Sequence, residues 1–110
     1  MAIKYIKCFN TGSLSDGASK EITWSPTEDV TIHKILLRER SSTTLDNTQV
    51  YIKVAEEVYT RDFAPASILT GHVNQVPELD IKAPAKSVVY IKITNNEGAA
   101  INVDVVLICT

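Results

Sequence analysis

Basic charge is scarce in this 110-residue chain: 11 Lys and Arg stand against 13 Asp and Glu, a formal net charge of −2. Neither end carries a Lys/Arg-rich arm, and the densest basic cluster, Lys34, Arg38 and Arg40, is interrupted by Glu39. Affinity for a phosphate backbone comes from neutralising phosphates with positive side chains, so general nucleic-acid binding is disfavoured. Long apolar runs are also missing. No stretch approaches the roughly 18 consecutive apolar residues of a membrane span. The opening residues Met1 to Cys8 lack the apolar core of a signal peptide. The expectation is a soluble chain made in the cytoplasm, with no membrane span.

Histidine, glycine and cysteine are equally sparse. The only histidines are His33 and His72. Metal-binding jelly-roll enzymes of the cupin type use two His one residue apart, with a Glu and a further His. Neither histidine here has such a partner, and a functional metal site normally needs three or more converging ligands. Four glycines include no G-x-G-x-x-G or P-loop arrangement, and no G-x-S-x-G elbow occurs. The carboxylate pairs Glu28-Asp29 and Glu56-Glu57 are adjacent in sequence, and neighbours on a strand point to opposite faces, so they do not converge as acid and base. The loops around Asp46-Asn47 and Asn95-Asn96-Glu97 lack the ligand spacing of a calcium loop. Enzyme activity is therefore not expected, nor any metal or cofactor. Cys8 and Cys109 have no C-x-x-C spacing. Either both are small buried hydrophobes, or they form a disulfide joining the chain ends. The disulfide requires neighbouring terminal strands and an extracellular or thermophilic setting.

What is abundant is β-branched. Val, Ile and Thr make up about a third of the residues, a composition that suits strands. Residues 101–107 alternate strictly, with Ile101, Val103, Val105 and Leu107 on one face and Asn102 and Asp104 on the other. Ser87 to Thr94 alternates in the same way, and Asn95 to Gly98 reads as a turn. These segments predict a hairpin in which Ile93 faces Ile101, Ile91 faces Val103 and Val89 faces Val105. Its outer face turns apolar away from the turn, at Val88, Val106 and Ile108. A strand around Ile3 to Phe9 carries apolar groups on both faces. Val88, Val106, Ile108, Ile3 and Tyr5 are accordingly the candidate oligomer contact.

Further strands are expected at Glu21–Trp24, Val30–Arg38, Thr48–Val54, Glu57–Thr60 and Leu79–Ile81, eight in all. The apolar parity of the third changes between Ile32 and Ile35, the mark of a bulge near His33 and Lys34. Residues 11–18 read as a loop. Pro65 followed by Ala66 to Leu69 predicts one helical turn. Eight short strands in one domain spanning 1–110 predict an all-β antiparallel sandwich, most economically an eight-stranded jelly roll. An immunoglobulin-like sandwich is the runner-up, weakened because Trp24 has no flanking cysteines at that family's spacing. Trp24, Tyr59 and Phe63 are the candidate ligand-binding aromatics. The simpler reading makes Trp24 a core or rim plug and Tyr51 and Tyr90 ordinary outer-face strand residues.

The run from Ser19 through Trp24, Pro26 and Asp29 to Ile32 resembles the entry to small jelly-roll or sandwich modules of phage and archaeal-virus virion proteins. There a polar strand, an aromatic, a Pro-acidic turn and a V-x-I strand follow one another. The passage Ile93-Thr-Asn-Asn-Glu-Gly98 into a long last strand is similar. The resemblance implies a structural virion component of capsid, decoration or spike type, and carries over no functional residue. The lack of a basic arm favours a compact exterior piece at the virion surface, partnered by copies of itself and by a larger capsid or surface protein. A carbohydrate- or ligand-binding sandwich is the alternative.

Overall fold

In the computed structural model the described residues are 5–41, 43–55, 57–58, 64–70 and 75–110. Nine strands run through them: β1 (Tyr5–Leu14), β2 (Ser19–Trp24), β3 (Val30–Glu39), β4 (Gln49–Val54), β5 (Glu57–Val58), β6 (Ala64–Pro65), β7 (Ile81–Ala83), β8 (Val89–Thr94) and β9 (Ile101–Cys109). They form two antiparallel sheets. The first has the order β1-β9-β3-β7; the second has the order β2-β8-β4-β5, with β6 also pairing β4. The fold is an all-β sandwich.

Period-two patterning sets which residues face inward. Ile101, Val103, Val105, Leu107 and Cys109 of β9 are fully buried, as are Ile35 and Leu37 of β3 beside them. The second sheet answers with Val89, Ile91 and Ile93 of β8 and Val50, Ile52 and Val54 of β4. These side chains join one apolar cluster between the sheets. The expected inward positions of β4 are those observed. The bulge is observed too: the β3–β9 register shifts between Ile32 and Lys34. So is the single turn behind Pro65, a 3-10 helix at Ala66–Leu69.

The predicted C-terminal hairpin does not form. β8 pairs β2 and β4 in the second sheet, whereas β9 pairs β1 and β3 in the first. Ile93 therefore neighbours Lys20 and Val50 rather than Ile101. The segment between the two strands is an arch over one end of the sandwich. Asn95 is its keystone, with no exposed surface. Its Nδ2 donates to the carbonyls of Leu14 (2.9 Å) and Ala99 (2.8 Å), and its Oδ1 accepts from the Glu97 amide (2.9 Å). Its backbone is paired with Gly17 and Ala18. A buried amide so fully satisfied is stabilising, and these bonds hold the chain across the gap between sheets. Both strands kept the apolar face that their alternation demanded; only the partner sheet differs.

Two smaller expectations also change. Residues 11–14 continue β1 past an irregularity between Asn10 and Ser13, where Gly12 takes φ 68, instead of joining the loop. The strand expected at Leu79–Ile81 lies two residues later, at Ile81–Ala83. Of the segment expected at Glu57–Thr60, Glu57–Val58 pairs back on β4, and the remainder lies outside the described residues.

Candidate functional site

Residues not committed to the core lie on two outer faces, and strand pairing sorts them into rows. On the first sheet, Ile6, Ile108 and Lys34 form one row and Cys8, Val106 and Leu36 the next. Asn10, Asp104 and Arg38 make a third, and Ser13 and Asn102 a fourth. The first two rows are almost wholly apolar. Ile6 is 55% exposed and Cys8 is exposed, Val106 is half-buried, and Ile108 and Leu36 are buried at the strip's centre.

The third and fourth rows bound that strip with a polar network. Asn10 Nδ2 donates to Asn102 Oδ1 (2.7 Å) and Asp104 Oδ1 (2.8 Å), and Arg40 Nε donates to Asp104 Oδ2 (2.6 Å). The Arg40 bond, followed by that from Asn10, holds the Asp104 carboxyl below its ordinary value. Nearby, partial burial works to raise Glu39, but the backbone amides of Asn102, Thr43 and Ser41 outweigh it and its pKa is lowered. Strand β3 and the chain after it thus supply a cation and a carboxylate, each tied to β9.

On the second sheet the rows are Ser19, Thr94 and Gln49; then Glu21, Lys92 and Tyr51; then Thr23, Tyr90, Lys53 and Val58. Ser19 and Thr94 share a hydroxyl hydrogen bond of 2.9 Å. Tyr51 and Tyr90 sit diagonally across β4 and β8, ring centroids 6.0 Å apart and planes at 79°. Desolvation, and then the hydrogen bond and charge of Glu21, push the Tyr90 phenol up. Beyond them lies exposed Val88, whose carbonyl accepts from the Ala55 amide.

The residues singled out in sequence are therefore divided. Val106 and Ile108 share the first sheet's outer face, but Val88 is on the second sheet and does not extend that patch. Alternation had placed all three outward in a common hairpin, and the arch at Asn95 separates them. Ile6, missed in sequence, takes the vacant position beside Ile108. Tyr5 pairs with Cys109 through its backbone, and Ile3 lies outside the described residues. Trp24 caps the inner layer, its ring edge-on to Phe9 at 6.5 Å, as expected of a rim plug. Tyr59 and Phe63 lie outside the described residues; on the outer face of the second sheet the structure brings together Tyr51 and Tyr90.

The disulfide does not form, although β1 and β9 are neighbours. Cys8 pairs with Val106 and Cys109 with Tyr5, three positions apart and with opposite parity. Cys8 is exposed on the outer face, against the expectation that both are buried; Cys109 is in the core, where burial pushes its thiol up. His33 Nε2 stands 3.9 Å from Glu78, and His72 lies outside the described residues. At the arch, the Glu97 carboxylate is occupied by the Asn47 amide (2.7 Å) and the hydroxyls of Thr48 (2.7 Å) and Thr44 (3.4 Å). Among the described residues no helix is long and apolar enough to cross a membrane. No family model matches the chain, and comparison with curated proteins and with solved structures returns no significant match.

Proposed function

We propose that this chain is a non-enzymatic structural protein, a single jelly-roll domain that self-assembles through the outer face of its first sheet. The observation that carries this reading is the apolar strip of Ile6, Cys8 and Val106, contiguous, outward-facing and bounded by the Asn10–Asp104–Arg40 network. An apolar centre with a polar, hydrogen-bonded rim is the usual anatomy of a protein contact. The jelly-roll reading rests on strand order. Six connections cross from one sheet to the other, and the first, ninth, third and seventh strands share one sheet. Two interleaved Greek keys give that order when β5 and β6, both on β4, count as one interrupted strand. The resemblance to virion modules then suggests a decoration, spike or small capsid component at the virion surface, held to a larger capsid protein. A ligand-binding reading is favoured by one separate feature, the tyrosine pair of the second sheet.

Light scattering after size exclusion tests assembly. A discrete closed oligomer is expected, and Val106→Asp and Ile6→Lys should weaken assembly more than they weaken the monomer fold. A monomer at every concentration would remove the self-assembly reading. Equal loss of assembly and monomer stability would make the strip part of the intramolecular core.

A further inference from the structure

The outer face of an antiparallel sheet is normally wet and polar, and the second sheet departs from this at one end. Three large hydrophobic residues stand exposed among the described residues, and two of them, Val58 and Val88, flank its tyrosine pair. A groove of about 370 Å³ runs over Tyr51, Tyr90, Lys53, Ala55 and Val88. That volume lies at the lower end of the roughly 300–1,000 Å³ of small-ligand sites.

The groove's chemistry narrows its occupant. Rings at 79° form a corner, with one face as floor and the other ring as wall. Such a corner takes a compact ring with apolar C–H faces better than it takes a chain. Lys53 lies in the groove, and its ammonium makes no hydrogen bond or ion pair among the described residues. An apolar partner would cover this ammonium without a counter-charge, which is costly. A polyphosphate backbone fits poorly too, because Glu21 stands on β2 in the row next to Tyr90 and adds a negative charge beside the groove. One anionic group on a hydroxylated ring satisfies all of these conditions.

We propose that this corner is a binding site for an acidic sugar, a pyranose bearing one carboxylate. The sugar ring stacks in the Tyr51–Tyr90 corner, and its carboxylate meets the Lys53 ammonium. The assignment deepens the ligand-binding reading and is independent of the assembly face on the opposite sheet.

The test is a titration of the full-length isotope-labelled protein with methyl glucuronide and with methyl glucoside, followed by amide chemical shifts. The two probes differ only in a carboxylate replacing a hydroxymethyl group. Glucuronide should shift residues 51, 53, 88 and 90 with a dissociation constant on the order of 1 mM, about fivefold tighter than glucoside, the effect of one exposed charge pair. Lys53→Met should erase that preference; Tyr90→Ala should abolish binding of both. If Tyr90→Ala fails to fold, Lys53→Met and Tyr51→Ala carry the test. Equal affinity for the two probes would overturn the acidic class and leave a ligand site standing. No shift with either probe at tens of millimolar, well above that constant, would overturn both. Tighter binding of a single-stranded oligonucleotide to the same residues would overturn the sugar assignment in favour of nucleic acid.

Discussion

The outer faces of the two sheets distribute similar ingredients in opposite ways. On the first sheet apolar and polar residues are segregated by row: Ile6, Cys8, Val106 and Ile108 at one end, Asn10, Asn102, Asp104 and Arg40 at the other. On the second they alternate within the rows, so that Tyr51 lies beside Lys92, and Tyr90 lies between Thr23 and Lys53. Segregation creates contiguous area from which a partner can exclude water, the condition for a protein contact. Interleaving creates a small amphipathic corner with fixed hydrogen-bonding groups, the condition for a small polar ligand. Both arrangements use antiparallel sheets with the same alternation; which strands are neighbours makes the difference.

The largest break in this comparison is expected from the layer that the faces share. Leu107 is fully buried between the sheets. Leu107→Ala should cost about 2–5 kcal/mol in urea unfolding, and binding and assembly should be lost together near the midpoint. A cost under about 1 kcal/mol would show that the two faces are not held by one core. A smaller effect is expected at the arch. Asn95→Ala leaves the Leu14 and Ala99 carbonyls and the Glu97 amide without their side-chain partner. It should cost about 1–3 kcal/mol, with exchange protection falling first in residues 14–18 and 95–100. Protection lost uniformly along β8 and β9 would instead show that the arch does not act locally.

The smallest effect sharpens the contrast through pH. Asp104 and Glu39 border the first sheet's strip and both have lowered pKa values in the folded state. As pH falls through the ordinary carboxylate range, around 4, the unfolded chain takes up protons before the folded one. Their stabilisation is therefore present above that range and is lost as pH falls through the depressed folded values. Asp104→Asn should flatten the decline in urea midpoint between about pH 6 and about pH 3. An unchanged slope in Asp104→Asn would mean that the Arg40 contact contributes nothing to folding, as exposed pairs sometimes do.

Much of the sandwich was legible because alternation is a local property. Val50, Ile52 and Val54 declared their inward face within one strand, and the parity change after Ile32 declared the bulge. Pro65 and the residues behind it marked a turn for equally local reasons. The last two strands were read correctly as strands with correct inner faces, yet assigned to each other. A hairpin and an arch require the same alternation. What separates them is whether Asn95 finds its partners on the adjacent strand or on Leu14, some eighty residues earlier.

The same boundary runs through the candidate sites. Tyr51 and Tyr90 were recognisably outward in sequence, but their 6.0 Å approach depends on β4 lying against β8. Ile6 belongs to the strip only because β1 lies beside β9. The amino-acid sequence alone determined the all-β character and the inner faces of β4, β8 and β9, since these follow from residue types and short-range periodicity. Tertiary structure decided the partner of every strand. It thereby placed Val88 apart from Val106, kept Cys8 from Cys109 and assembled each outer face, because pairing is settled by contacts far apart in sequence, which no local pattern encodes.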